Sequence, residues 1–297
     1  RRSHSSSNDP HTYTPVSKEY VILQCPSMSS QSDAGRGLGR LLRAPATVTT
    51  RLCQAGILIL AVWWVFGPLG GVGTTPRDLG EGANDTGPIF NWHPLLMLLA
   101  FPVLMGEALL AYRSPAPTLD SRPARKVYHI SLQICALALA LLGLTAAVRS
   151  HTLKLPQPIP NFYSAHSFLG GLVLALFAFQ VALGLWAYAW PKLSHPARVT
   201  LGPVHTFLGR AILGLGLAAA AVGLQEKATF LQLGAGAGPA SAALRLPALL
   251  QLLLAAVALG VLWHHVEPAR PGPGVVSLAG DGIPLFEQRT PRNSADH

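Results

Sequence analysis

Residues 163–189 read YSAHSFLGGLVLALFAFQVALGLWAYA. No Lys, Arg, Asp or Glu interrupts them, and one histidine, His166, stands near the start. A helix crossing the hydrocarbon core of a bilayer needs about 20 mostly apolar residues, and this stretch exceeds that. Five further windows have the same character, at roughly 52–72, 91–112, 127–148, 203–224 and 242–265. The chain is 50% hydrophobic and 12% charged, about half the charge of an ordinary soluble domain. Little polar sequence remains for a soluble core. Six such windows are too many for the buried helices of a soluble protein. The expected fold is all-α, a six-helix transmembrane bundle. The first window begins some 50 residues in, after a polar stretch, so it is not a signal peptide.

Outside the windows the composition changes. Residues 1–47 are rich in Ser, Arg, Gly and Pro, and 267–297 read the same way. Such segments bury too little apolar surface to fold. The expected organisation is a disordered tail over 1–47, a membrane domain over 48–266 and a second disordered tail over 267–297. Tyr20-Val21-Ile22-Leu23 resembles a tyrosine-based endosomal sorting signal. Cys25, Cys53 and Cys135 are isolated, which excludes an iron–sulfur centre and a covalently attached haem.

The net charge of +9 reads as a topology signal, with no nucleic-acid partner implied. Arg36, Arg40, Arg43 and Arg51 precede the first window, Arg113, Arg122, Arg125 and Lys126 separate the second from the third, and Lys192 and Arg198 separate the fourth from the fifth. The loop after the first window is acidic on balance. The positive-inside bias places both termini in the cytosol. Arg149 and Lys154 run against it. Asn84-Asp85-Thr86 is a glycosylation sequon on the outer side of this topology.

Four histidines fall near helix ends: His93, His129, His166 and His205. Following the chain across the membrane puts His93 and His166 at the outer face, and His129 and His205 at the inner face. At 1.5 Å per residue the levels lie roughly 20 Å apart. Neutral imidazole is a common axial ligand of haem iron, and two per iron leave no open position for oxygen. The pattern predicts two b haems within helices two to five. A single membrane histidine is more often a packed or interfacial residue. Four that alternate in depth over consecutive helices are harder to dismiss. The competing reading is a transporter whose histidines relay protons or bind a metal ion without haem. It does not explain two pairs at two levels, and it predicts broken helices near the midplane in corresponding halves, for which Pro102 is the only good candidate in the sequence.

Several segments resemble the cytochrome b561 family. Phe90-Asn91-Trp92-His93-Pro94-Leu95-Leu96-Met97 looks like the start of that family's second helix. Gly106-Glu107-Ala108 with Tyr112-Arg113 is similar to its end. Lys126-Val127-Tyr128-His129 matches the spacing before the third-helix ligand. Asn161-Phe162-Tyr163-Ser164-Ala165-His166-Ser167-Phe168-Leu169-Gly170 resembles the fourth-helix signature. Arg198 stands seven residues before His205, as in the family, and Glu226-Lys227-Ala228-Thr229-Phe230-Leu231 is similar to the close of helix five. The resemblance spans about residues 50–265. It implies a homodimer with two b haems per chain. It also implies an electron path from cytosolic ascorbate to monodehydroascorbate or a ferric chelate on the other side. By family habit, and by the Tyr20 signal, a lysosome, vacuole or secretory vesicle is favoured over the plasma membrane.

The residues agree with that chemistry. Ascorbate is an anion, and Lys126, Arg198 and Arg113 stand at the inner level, where a basic pocket would attract it. The alternative for each is a headgroup anchor. His151 resembles a family histidine that meets the outer acceptor, although the loop here is about three residues longer. Asn161 either caps helix four or meets a haem propionate. Arg210, inside helix five where the family usually has an apolar residue, needs a partner such as a propionate or Glu107.

Overall fold

The structure is a computed structural model. It describes residues 29–113 and 121–266, with side chains for 45–113 and 121–265. The Tyr20 signal and the tail 267–297 lie outside the described residues. The chain divides into two compact units, Arg1–Leu41 and Leu42–His297, and the bundle belongs to the second. Helix begins at Ser29, ahead of the boundary expected at 48. Among the described residues, six helices are long and apolar enough to span a membrane: α1 (Pro45–Phe66), α2 (Gly87–Leu110), α3 (Arg122–Thr152), α4 (Ala165–Ala189), α5 (His195–Gly234) and α6 (Ala242–His265). This is an integral membrane protein built as a six-helix bundle. A hairpin of β1 (Arg77–Gly80) and β2 (Ala83–Asp85) fills part of the link from α1 to α2.

The helix ends follow their chemistry. Ser121 caps α3 by accepting from the Ala124 N–H at 3.2 Å, with Pro123 in the first turn. Ser164 caps α4 in a reciprocal box with Ser167, a motif worth about 0.5–2 kcal/mol. Asn161 is therefore not the cap of that helix, because Ser164, one residue before Ala165, already satisfies its N–H groups.

Two helices depart from α geometry. In α2, Leu99–Met105 form a π-helical turn around Pro102. Proline has no N–H and its ring crowds the preceding turn, so carbonyls there lose their partners. Gln54 of α1 makes good part of the loss, donating from Nε2 to the Pro102 carbonyl at 2.9 Å. The last turn of α4, Leu185–Ala189, is also π-helical.

α1 is tied to the bundle by polar contacts and close approach. Arg51 donates from Nε to both carboxylate oxygens of Glu107, at 3.1 and 3.2 Å, and from Nη2 to Oε1 at 2.5 Å. Two-point contacts of this kind are strong and directional. They also correct the pairing expected for Arg210. Glu107 belongs to Arg51 of α1, whereas Arg210 turns back on its own helix, donating from Nε to the Thr206 carbonyl at 3.0 Å. A Cβ at Gly260 of α6 would fall 2.1 Å from the Thr50 hydroxyl, so only glycine lets these helices pack this closely. Trp64 Nε1 donates to the Ala243 carbonyl at 3.1 Å. The core holds Trp64, Ile57, Phe177 and Leu254, all essentially buried. Leu52, Ile59, Phe179 and Leu259 point outward, as lipid-facing residues do.

Candidate functional site

Four helices, α2 to α5, carry the histidines. The His93 ring lies 5.9 Å from that of His166, centroid to centroid, and the His129 ring 6.5 Å from that of His205. The partners come from α2 and α4 at one end and from α3 and α5 at the other, termed outer and inner after the topology expected from the charge distribution. Backbone contacts fix the depth of each pair. His93 Nδ1 is 3.0 Å from the Gly143 carbonyl of α3, and His129 Nδ1 is 2.7 Å from the Ala108 carbonyl of α2. His166 Nδ1 is 2.9 Å from the Ala219 carbonyl of α5. On α3 the two levels are marked by residues 129 and 143, and on α5 by 205 and 219. Fourteen residues at 1.5 Å each give a separation of about 21 Å on both helices.

These contacts select the chemistry of the His93, His129 and His166 rings, whereas His205 Nδ1 is buried with no partner among the described residues. An Nδ1–H bonded to a carbonyl leaves the lone pair on Nε2, which is the metal-binding arrangement. Two metal–imidazole bonds of about 2 Å, plus about 1.1 Å from each nitrogen to its ring centre, space the centroids by roughly 6.2 Å. The observed 5.9 and 6.5 Å bracket that spacing. A bare metal ion would need more. Structural or transport sites for zinc-like ions use three or four protein ligands, and no group of three His, Cys, Asp or Glu converges among the described residues. Two imidazoles suit an iron whose other four ligands come from a porphyrin.

Glycines make room for the rings. A Cβ at Gly223 of α5 would lie 2.5 Å from His166 Cε1, and one at Gly184 of α4 would lie 3.0 Å from His205 Cε1. Around the outer pair is a cavity of about 670 Å³, lined by His93, His166, Phe90, Gly170 and Gly223 among others. That volume is in the range of cofactor sites. Between the levels, the Phe101 and Phe177 rings pack at 5.7 Å.

The expected substrate residues divide between the two ends. At the outer end His151 and Asn161 meet, with His151 Nδ1 3.1 Å from Asn161 Oδ1. Both line the outer cavity. His151 lies in the last turn of α3 instead of in the loop, because helix continues to Thr152. Tyr163 stands beside it, ring centres 6.2 Å apart. Burial, and then the Glu226 carboxylate, raise the Tyr163 phenol above its ordinary range, so it stays a neutral donor at the mouth.

At the inner end Tyr188 links two of the expected cations. Lys126 Nζ donates to its carbonyl at 2.5 Å, and its hydroxyl donates to the Arg198 carbonyl at 3.3 Å. The Tyr188 ring also lies 5.3 Å from His205. Arg198 Nε is buried with no hydrogen-bond partner among the described residues, an unfilled donor of the kind an anion satisfies. Arg113 sits on the turn after α2, its N–H bonded to the Leu110 carbonyl. Sequence reasoning missed Tyr188, Gly184 and Gly223, since nothing in a membrane helix distinguishes a ring-facing position from a lipid-facing one.

The sequon reading meets an obstacle. Asn84 is 6% exposed. Its amide donates to the Leu153 carbonyl at 2.8 Å, and its oxygen accepts from Leu155 N at 2.9 Å. The side chain staples the hairpin to the loop after α3 and is not presented for glycosylation.

The profile of the family described as eukaryotic cytochrome b561 matches residues 92–231, which include all four histidines. A transmembrane ascorbate ferrireductase from Arabidopsis thaliana is 38% identical over 188 residues, covering 63% of this chain and 76% of that protein. The chain belongs to the cytochrome b561 family. A lysosomal membrane ascorbate-dependent ferrireductase from Rattus norvegicus is 40% identical over 143 residues, 48% of this chain and 55% of that protein. A plasma membrane ascorbate-dependent reductase from Xenopus laevis is 38% identical over 151 residues, 51% of this chain and 52% of that protein. The b561 family implies haem b, and the donor set at the two histidine pairs fits it.

Proposed function

We propose that this chain carries electrons across a membrane, from cytosolic ascorbate to a ferric chelate or monodehydroascorbate on the far side. The observation that carries the reading is the pair of imidazole pairs, about 21 Å apart at opposite ends of one b561 bundle. His93 with His166 would hold one haem b and His129 with His205 a second, each supplying a one-electron carrier with no open position for oxygen. Both termini are cytosolic in this reading, by the distribution of Arg and Lys. The protein acts as a homodimer in an endomembrane such as that of a lysosome, vacuole or secretory vesicle.

Ascorbate binds as a monoanion and leaves as its radical anion, giving up one electron and one proton. Lys126 and Arg198 hold the anion at the inner end. Arg113 adds positive potential there. At the outer end one electron converts chelated ferric ion to ferrous ion, with no proton consumed. Monodehydroascorbate takes one electron and one proton, and His151, held by Asn161, is placed to give that proton. The first test is optical. A purified sample without the sharp α-bands of a reduced b-type haem would end this reading.

Two results are expected at the residues around this path. Lys126→Ala and Arg198→Ala keep their haem but need about tenfold or more ascorbate for half-reduction, because a charge-assisted hydrogen bond is worth about 1.5–3 kcal/mol. Unchanged half-reduction concentrations in both would leave these cations as headgroup anchors. Gly223→Ala places a methyl 2.5 Å from the His166 ring, an overpacking that costs about 1–3 kcal/mol. It loses outer haem on mild heating, while Gly214→Ala, with nothing within reach of its Cβ, does not. Equal haem retention in the two variants would show that the ring has room to move.

A further inference from the structure

Lys227 lies on α5 four residues past Gly223, on the same face and one turn, about 6 Å, further out. Gly223 is the residue that touches the His166 ring. The Lys227 ammonium stands over the Phe90 ring, 4.8 Å from its centre, and the Phe90 ring lies 5.6 Å from that of His93. Lys227 therefore bridges the outer ends of the helices that carry His93 and face His166. It lines the cavity of about 670 Å³.

The ammonium makes no hydrogen bond or ion pair among the described residues. The nearby carboxylates each accept a bond elsewhere, and neither forms an ion pair with the ammonium among the described residues. Asp85 Oδ1 accepts from the Gly87 N–H at 2.8 Å, and Glu226 Oε2 accepts from the Ser164 hydroxyl at 3.1 Å. The cavity's other ammonium, Lys154, is spent on the Asn84 carbonyl. A cation over an aromatic face gains about 0.5–2 kcal/mol. That does not replace the acceptors an ammonium loses on leaving water. The ammonium thus stands, with no acceptor among the described residues, on the wall of a cavity that is otherwise largely apolar.

We propose that Lys227 is a carboxylate anchor of the outer cavity, holding an anion brought in by the occupant. The inference rests on the reading of His93 and His166 as haem ligands. Two carboxylate sources reach this place: the propionates of a haem b held at that pair, and the carboxylates of a ferric chelate. Either gives a charge-assisted hydrogen bond. A positive charge beside the outer haem also favours its reduced form.

The test uses the full chain with Lys227→Met and Lys227→Arg, purified with haem and reconstituted in vesicles. Haem content, the midpoint potential of each haem, and KM for ferric citrate and ferricyanide are measured. If the anchor holds a propionate, Lys227→Met lowers the outer potential so that the oxidised-to-reduced ratio shifts about tenfold, 59 mV for one electron, with KM unchanged. If it holds the chelate, KM for ferric citrate rises about tenfold while KM for ferricyanide changes much less, whatever shift in potential the lost charge itself causes. Lys227→Arg restores either value. Loss of outer haem in Lys227→Met alone also supports the anchor. Loss in both variants shows a packing role and overturns it. So do wild-type potentials and KM values in a Lys227→Met protein that keeps both haems. A wild type whose spectrum is unaltered by His93→Ala fails the ligand reading itself, a result distinct from any of these.

Discussion

His93→Ala and His166→Ala each leave a protein with half its haem, and the haem that remains is the same in both. His129→Ala and His205→Ala leave the other one. The expectation follows from the ring separations of 5.9 and 6.5 Å and from the chain order of the partners. If the paired imidazoles are the axial ligands, removing one takes away half of the protein's bonds to that iron, in a site where glycines make room for the rings. Because two ligands act as one unit, their losses do not add. His93→Ala with His166→Ala therefore resembles either single variant, whereas His93→Ala with His129→Ala binds no haem. The measurement is the haem-to-protein ratio with the reduced-minus-oxidised spectrum, in which the two haems differ by surroundings. At the inner level Tyr112 and Tyr188 lie 5.6 and 5.3 Å from His129 and His205. At the outer level Phe90 fills the comparable place beside His93. A His93→Ala spectrum matching that of His129→Ala would break the assignment of levels.

Hydropathy made the six spans legible, because each must bury about 20 apolar residues in lipid whatever its neighbours are. The depth of the histidines followed from counting along those spans. The residues that sequence did not reveal depend on contacts between helices. Glu107 looked available to Arg210, yet the register of α1 brings Arg51 to it first. Nothing in residues 99–105 announces a π-helical turn except Pro102, and Gln54, which satisfies the turn, is 48 residues away. His151 and Asn161 were separate candidates. The reversal between α3 and α4 joins them, and Ser164 takes the capping role that Asn161 was thought to share. The sequon at Asn84 is a pattern that packing overrules, since both ends of its amide are already bonded. In the sequence Lys227 is only part of a motif. Its meaning depends on a cavity wall assembled from α2, α4 and α5.

Sealed vesicles loaded with ascorbate and carrying this protein reduce ferric citrate or ferricyanide added outside, and the two solutions never mix. The pairs lie about 21 Å apart by helix rise, with the buried Phe101 and Phe177 packed between them. Neither reactant could cross that core, so only an electron path through both pairs connects the compartments. Each of the four histidine variants should abolish transfer to the level of protein-free vesicles, while ascorbate still reduces the inner haem of His93→Ala and His166→Ala. His151→Ala has a narrower effect. Its ring sits at the outer mouth with Asn161 and Tyr163, far from the inner cations. Ferric citrate reduction slows severalfold, and reduction of the haems by internal ascorbate keeps its wild-type rate. The comparison between acceptors separates two roles for His151. A histidine that contacts the chelate slows ferric citrate alone, whereas one that only braces Asn161 slows ferricyanide equally. Reduction that requires donor and acceptor on one side of the membrane would exclude the transmembrane path, however many haems the protein binds.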